Sequence, residues 1–342
     1  MKKFFGFLLA LAMLLSITAC GSSGDSGSGS GAEKGDGAAD PIVFVIAHTN
    51  TEENVTHKAM LKFEEYVEAN TDGRVDVQIY PNGQLGGERE CVEAVELGSV
   101  QMTTPTASVM SAYDLKYNLM ELPFLFSDYD AVYEAYDGEL GEIYSGWMEE
   151  HNLLNMGFYC GGFRGISNTK RPVYTPDDLK GLKLRCIESD MFMKLFQLLG
   201  TNPTPMSYNE IYTGLEQGTI DGQDNPATLT YTSKFYEALK YFTATNHVAL
   251  CVPVVVQKNF YEGLDDDIRV VFDEAFAEMV ADLREAKKQE EQDSIAAMQA
   301  AGIEYTVLTD DQMQLFKEKV TPIYDDYREI VGDDVMDLAL SY

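Results

Sequence analysis

Residues 161–226 decide how this chain is read. They begin Gly161-Gly162-Phe163-Arg164-Gly165-Ile166-Ser167-Asn168, continue as RPVYTPDDLKGLKLR over 171–185, and end Asp221-Gly222-Gln223-Asp224-Asn225-Pro226. Thr175-Pro176 followed by Asp177-Asp178 is a helix start: a hydroxyl N-cap, proline at the first helical position, acids in the first turn. Gly181 closes that short helix. Lys183-Leu184-Arg185-Cys186-Ile187 then alternates like a strand, which places Arg185 in a strand and not on a solvated helix face. Arg164 and Arg185 therefore stand at strand ends. Their planar forks can hold a carboxylate through two parallel hydrogen bonds, a geometry lysine cannot copy. Structural ion pairs use the same residue, so the pattern alone leaves both readings open.

Outward from this stretch, composition narrows the function. The chain has 342 residues, enough for one large or two medium domains, and a formal net charge of −31 from 56 acids and 25 basic residues. That balance leaves no room for a large basic face, so nucleic acid is not an expected partner. It repels anions at long range. Salt screens beyond about 8 Å, however, so a local arginine pair can still bind one. The five cysteines (Cys20, Cys91, Cys160, Cys186, Cys251) show no C-x-x-C spacing; the last four are expected to be unpaired and buried.

Residues 1–20 read as an export signal, with Lys2-Lys3 before an apolar core at 4–17. Ile17-Thr18-Ala19-Cys20 looks like a bacterial lipobox, which makes Cys20 the expected lipidation site. The apolar run is too short for the roughly 20 residues of a membrane span. A plain signal peptide with an incidental cysteine is the main rival. The Gly/Ser-rich segment 21–40 favours lipidation, because a flexible tether has an obvious use behind a membrane anchor.

Beyond the tether, 42–47 reads as a strand, 56–69 as a helix, 75–79 as a strand and 88–97 as a second helix. This is a βαβα layer. Ligands of open α/β sheets sit beyond the carboxyl ends of the strands, which puts His48, Asn50, Glu88 and Thr106 near such an edge. Each is as readily a surface polar group. LMELPFLF at 119–126 reads as core packing, and so does Trp147. VALCVPVVVQ at 248–257 is a buried strand in which Pro253 suggests a bend. Between Gly263 and Gly302 there is no glycine or proline, and Ile268, Phe272, Ala275, Phe276, Met279 and Leu283 keep helical spacing. A helix of roughly 35 residues would span about 50 Å, longer than one small domain. After Leu283 it turns highly charged and reads as a solvated face, with Arg284 an example. Segment 303–307 then reads as a strand, and residues from 310 as terminal helices.

Chemistry for catalysis is missing from the pattern. No two of His48, His57, His151 and His247 have metal-ligand spacing, and neither a nucleophile elbow, a P-loop nor a dinucleotide fingerprint follows a strand. No metal, no other cofactor and no enzymatic activity is expected.

Three motifs in order, YPNGQLGGERE (80–90), RPVYTPDDLKGLKLR (171–185) and NPTPMSYNEIYTGLEQGTIDGQDNP (202–226), resemble the DctP-like solute-binding subunits of tripartite ATP-independent periplasmic (TRAP) transporters. The resemblance runs from about residue 41 to the C-terminus. It implies a two-lobed α/β periplasmic-binding-protein fold with a long helix crossing both lobes: lobe I from 41–161 with 251–290, lobe II from 162–250 with 291–342. It also implies that Arg185 clamps the ligand carboxylate, that Arg164 reaches the ligand, that Asn225 hydrogen-bonds it, and that the ring of Tyr208 lies against it. Sialic-acid-binding members carry a carboxylate at about the position of Thr106, so sialic acid is not expected. A C4-dicarboxylate and a sugar acid such as a uronate both remain open. The implied partners are a small and a large integral membrane transporter subunit. The implied location is the outer face of the cytoplasmic membrane, with the protein a lipid-anchored monomer. The rival classes are a ligand-sensing module for a signalling partner and a secreted hydrolase.

Overall fold

The computed structural model describes residues 40–342; the export signal, Cys20 and the tether up to residue 39 lie outside the described residues. Among the described residues ten strands form one mixed sheet: β1 (Ile42–Ala47), β2 (Val75–Tyr80), β3 (Met102–Thr103), β4 (Leu153–Asn168), β5 (Lys183–Cys186), β6 (Asn202–Pro205), β7 (Gly222–Pro226), β8 (Tyr241–Ala244), β9 (Ala249–Gln257) and β10 (Glu304–Val307). Their order is β2-β1-β3-β9-β4-β7-β5-β6, with β8 also on β4 and β10 on β8. β1 runs parallel to β2 and β3, and β5 runs parallel to β6 and β7. Each end of the sheet is thus a parallel βα layer. The antiparallel strands β4 and β9 join the two layers in a two-lobed α/β fold.

β4 is the longest strand, and it serves both layers. Leu153 to Phe163 pair with β9, whereas Ile166 to Asn168 pair with β7 on one side and β8 on the other. Its pairing with β9 shifts by one residue between Asn155 and Phe158 and again between Cys160 and Phe163. Gly157 (φ +137°) and Gly162 (φ +116°) lie in these two bulges, in backbone conformations that a side chain would strain. The first of these irregularities adjoins Pro253, where a bend or bulge was expected, with the extra residue on the opposite strand. The second bulge sits two residues before Arg164 and re-aims the strand that carries it.

The α-helices of the described residues are α1 (Val55–Asn70), α2 (Glu88–Glu96), α3 (Tyr129–Asp137), α4 (Glu139–Glu149), α5 (Asp190–Leu198), α6 (Ile211–Glu216), α7 (Ala227–Thr232), α8 (Lys258–Glu262), α9 (Asp266–Ala300), α10 (Asp310–Val320), α11 (Pro322–Val331) and α12 (Asp333–Ala339). The expected helix after Thr175 is a single 3-10 turn, Pro176–Leu179. The Asp178 carboxylate accepts hydrogen bonds from the backbone N–H of Tyr174 and Thr175 and from the Thr175 hydroxyl (3.0, 2.9 and 3.1 Å). That reciprocal cap fixes the start of the turn, and the extended Lys180 followed by Gly181 (φ +78°) ends it.

α9 is the glycine-free helix. Its first half packs Phe272 and Phe276 against Phe44 and Phe63, with ring centroids 4.8–6.0 Å apart. Its second half does not turn to solvent as expected. Lys287, Glu290, Ser294 and Met298 continue the buried stripe of Met279 and Leu283. Arg284 is likewise no solvated arginine. Its two Nη groups each donate to Asp137 at 2.7 Å, its Nε donates to Phe158 O at 3.0 Å, and its guanidinium lies 4.6 Å from the Tyr133 ring centre. The C-terminal helices share a core with both layers: Phe316, Ile323, Tyr327 and Met336 pack with Leu119, Tyr144 and Phe192. Tyr324 and Tyr327 fix them to the 115–123 segment through Pro123 O (2.6 Å) and Asn118 Nδ2 (2.7 Å). Cys91, Cys160, Cys186 and Cys251 are free and buried.

Candidate ligand-binding cleft

Parallel pairing of β5 between β6 and β7 sets Arg185 opposite Thr204 and Gln223. Its neighbour Leu184 points into the core, so alternation turns the guanidinium to the other face. Arg185 is only 3 % exposed. Nε donates to Met206 O at 2.9 Å, and among the described residues the Nη groups have no hydrogen-bond partner. Burial lowers its pKa, and Asp224 only partly offsets that. Arg185 is therefore a buried cation held by one neutral carbonyl, and its bidentate edge is unused.

Arg164 differs. It lies inside β4 and not at its end, and its guanidinium rests over the Phe192 ring at 5.2 Å. Nε donates to Asp224 Oδ2 at 2.7 Å and Nη2 donates to Asp224 O at 2.6 Å. Burial pulls the Asp224 carboxyl upward, but Arg164 and His247 outweigh it and hold the pKa below the ordinary value. The two arginines thus differ: Arg164 is neutralised by Asp224, and Arg185 has no counter-ion in contact among the described residues.

Around them one cavity gathers Arg164, Arg185, Tyr208, Asn225, Glu88 and Thr106. Tyr208 is held through its hydroxyl by Ser233 and edge-on by Phe235 (5.4 Å). Asn225 donates through Nδ2 to Gln223 Oε1. Glu88 opens α2; its carboxylate accepts from Thr106 N at 3.2 Å and from the Thr49 hydroxyl at 3.4 Å. Withdrawal from water raises its pKa, although Thr106 and both arginines pull against the rise. Asn50 lines a second, inner cavity that shares Glu88 and Thr106 with the first. So the first layer contributes Asn50, Glu88 and Thr106, and the second contributes Arg185, Tyr208 and Asn225.

His48 does not join them. Its Nε2 meets His57 Nδ1 at 3.1 Å, so one of the two rings must be neutral to accept. Burial first, and His57 second, lower the His48 pKa to about 3. A histidine whose folded pKa lies below its unfolded value stabilises the fold above the unfolded pKa, and that stability is lost as pH falls below about 6.5. Between pH 7.5 and 5 the His48 share is on the order of 2 kcal/mol. Glu121 acts in the opposite sense. Burial raises its carboxyl to about 7, so its share is lost as pH rises through that range. Urea unfolding of the wild type and of His48→Gln at pH 7.5 and 5 isolates the histidine: the variant should lose less stability on acidification. An unchanged difference would mean that His48 is charged in the folded chain.

Some site residues carried no usable sequence signal. Asp224 was visible only as the neighbour of Asn225. Lys287 lines the inner cavity, and its spacing of four from Leu283 would have placed it on the buried stripe. Tyr159 and Thr104 also line that cavity. Among the described residues no cluster of three or more metal-ligating side chains is formed.

The chain is matched over most of its length by known proteins. Residues 46–330 match the family of bacterial extracellular solute-binding proteins, family 7, DctP. The chain belongs to this family. It is 33% identical over 300 residues to the C4-dicarboxylate-binding periplasmic protein DctP of Rhodobacter capsulatus, covering 87% of this chain and 90% of that protein. Its fold superposes with a TM-score of 0.85 on the sugar acid binding protein DctPAm of Advenella mimigardefordensis in complex with galactonate, at 27% identity over 88% of this chain and 97% of the other. A TRAP periplasmic solute-binding protein of Shewanella oneidensis with bound succinate gives a TM-score of 0.85 at 29% identity, covering 88% and 99% of the two chains. The DctP family is one of exported binding proteins that serve TRAP transport.

Proposed function

We propose that this chain captures a small organic acid between its two lobes and delivers it to the small and large membrane subunits of a TRAP-type secondary transporter. The observation that carries this reading is Arg185: a buried guanidinium with an unused edge, beside an Arg164 already neutralised by Asp224. A carboxylate docked on Arg185 would also lie within reach of Asn225 and the Tyr208 ring. Lobe I is taken as 41–161 with 251–290 and lobe II as 162–250 with 291–342. A ligand that touches residues of both favours the closed state through that differential contact. The relatives bind a C4-dicarboxylate, galactonate and succinate, and each of these presents a carboxylate. Binding without turnover is the expected behaviour, with the chain a monomer. A thermal-shift screen against organic and sugar acids tests this. A ligand at 100 times its Kd adds about 2.7 kcal/mol of stability. If no organic acid stabilises the folded protein, the reading falls.

The N-terminal reading belongs to the same proposal. Cys20 in Ile17-Thr18-Ala19-Cys20 becomes the lipidated N-terminus, and the Gly/Ser-rich tether lets the lobes reach the transporter from the outer face of the cytoplasmic membrane. Mass spectrometry of detergent-extracted protein should find a diacylglyceryl group on Cys20. An unlipidated mature N-terminus elsewhere would remove the anchor.

A further inference from the structure

Resting on the assignment of Arg185 as the carboxylate anchor, we infer that the cleft is built for a monocarboxylate bearing several hydroxyl groups, a sugar acid, and that Glu88 excludes a second carboxylate. The charges of the lining lead to this. Arg164 is neutralised by Asp224 at 2.7 Å. Lys287, at the inner end, is held by Glu290 at 2.8 Å and by Asn54 Oδ1 at 2.9 Å. Arg89 pairs with Glu93, and Glu90 and Glu188 line the cavity as solvent-exposed carboxylates. Of the buried and half-buried charges of the lining, Arg185 and Glu88 have no counter-ion in contact among the described residues. Among the described residues Glu88 accepts from the Thr106 N–H and the Thr49 hydroxyl, both neutral, which leaves part of its acceptor capacity unused.

Three ligand types meet this arrangement differently. A four-carbon dicarboxylate anchored on Arg185 brings its second carboxylate toward Glu88, and like charges in a closed, poorly hydrated site repel strongly. A zwitterion could offer an ammonium to Glu88, but Lys287, which lines the adjoining cavity, has only a donor proton left and gives an ammonium nothing to donate to. Hydroxyl groups suit both, because each can donate to Glu88 and accept from a lysine proton that Glu290 and Asn54 leave free. The remaining polar lining of the second cavity is neutral and able to donate or accept, with Asn50, Thr104, Thr106 and Tyr159 among it. The Thr104 hydroxyl is buried and has no hydrogen-bond partner among the described residues. A buried hydroxyl left unsatisfied is costly, and a ligand hydroxyl would satisfy it. Burial also raises the Glu88 pKa, which a donating hydroxyl relieves and a second carboxylate worsens.

Titration calorimetry on the full chain, with galactonate, glucuronate, succinate and 4-aminobutyrate as probes, tests this. At least one sugar acid should bind at least about tenfold more tightly than succinate or 4-aminobutyrate. Glu88→Gln keeps the shape and removes the charge, so the ratio of sugar-acid to succinate affinity should fall at least about tenfold. Thr104→Val should lower the same ratio several-fold, and it serves if Glu88→Gln does not fold. Tighter binding of succinate or 4-aminobutyrate by the wild type, with Arg185→Ala abolishing it, overturns this inference and leaves the carboxylate anchor standing. An unchanged ratio in Glu88→Gln also overturns it. If none of the probes binds the folded wild type, the anchor reading itself fails.

Discussion

Arg185→Ala lowers the affinity of the cleft for its carboxylate ligand by roughly 30- to 4,000-fold. The figure follows from the burial of Arg185 and from its lack of any counter-ion in contact. Truncating one partner of a buried charged pair costs about 2–5 kcal/mol, and each 1.4 kcal/mol is about tenfold in Kd. The free protein should not suffer in proportion. Among the described residues no ion pair offsets the burial of Arg185, and burial already depresses its pKa, so alanine removes a desolvated charge along with a packing group. Arg185→Lys is the sharper variant. It keeps the charge but not the fork, and it should lose at least about tenfold. Arg74→Ala is the control, since Arg74 is 45% exposed and pairs with Asp267 on the far surface. Calorimetry on folded variants decides: if Arg185→Lys binds like the wild type, the anchor is a point charge and the geometric argument is wrong.

What the sequence made legible follows from period and punctuation. β1, β2, β5 and β9 and the helices at 55–70 and 88–96 fall where alternation, apolar stripes and glycine stops put them. The long helix α9 was legible because a run without glycine or proline needs no tertiary information. Its charged half was misread for a definite reason. Periodicity registers only apolar residues, so a stripe continued by Lys287, Glu290 and Ser294 looks like its end. The bulges of β4 were hidden differently: a glycine pair can mark a turn, a bulge or a close approach, and only the facing strand decides among them. In the cleft, the strand placement of Arg185, the proposed anchor, could be read from its alternation. Which arginine was already neutralised could not, because that depends on a carboxylate 60 positions away, Asp224, meeting Arg164 across the β4–β7 ladder. The inner end escaped for the same reason. Tyr159, Thr104 and Lys287 come from three distant segments and share a wall only after folding.

Asp224→Asn separates folding from binding, and its expected effect is on the free protein. Asp224 and Arg164 are 0% and 1% exposed. Taking the charge from one partner leaves the other buried and unpaired, a loss of about 3–5 kcal/mol in comparable pairs. The asparagine oxygen can still accept from Arg164 Nε, so the loss should lie near the lower end, and Asp224→Ala should lie near the upper end. The same change leaves two arginines facing the cleft uncompensated, and a bound carboxylate then neutralises more charge than in the wild type. The ligand-free variant should therefore unfold at markedly lower urea concentration while its ligand-induced stabilisation grows. Arg185→Ala should do the reverse, keeping the fold and losing the ligand. Equilibrium unfolding of both variants, with and without saturating ligand, measures this opposition. If Asp224→Asn unfolds within about 1 kcal/mol of the wild type, Arg164 is neutralised by something other than Asp224, and the division of labour between the two arginines does not hold.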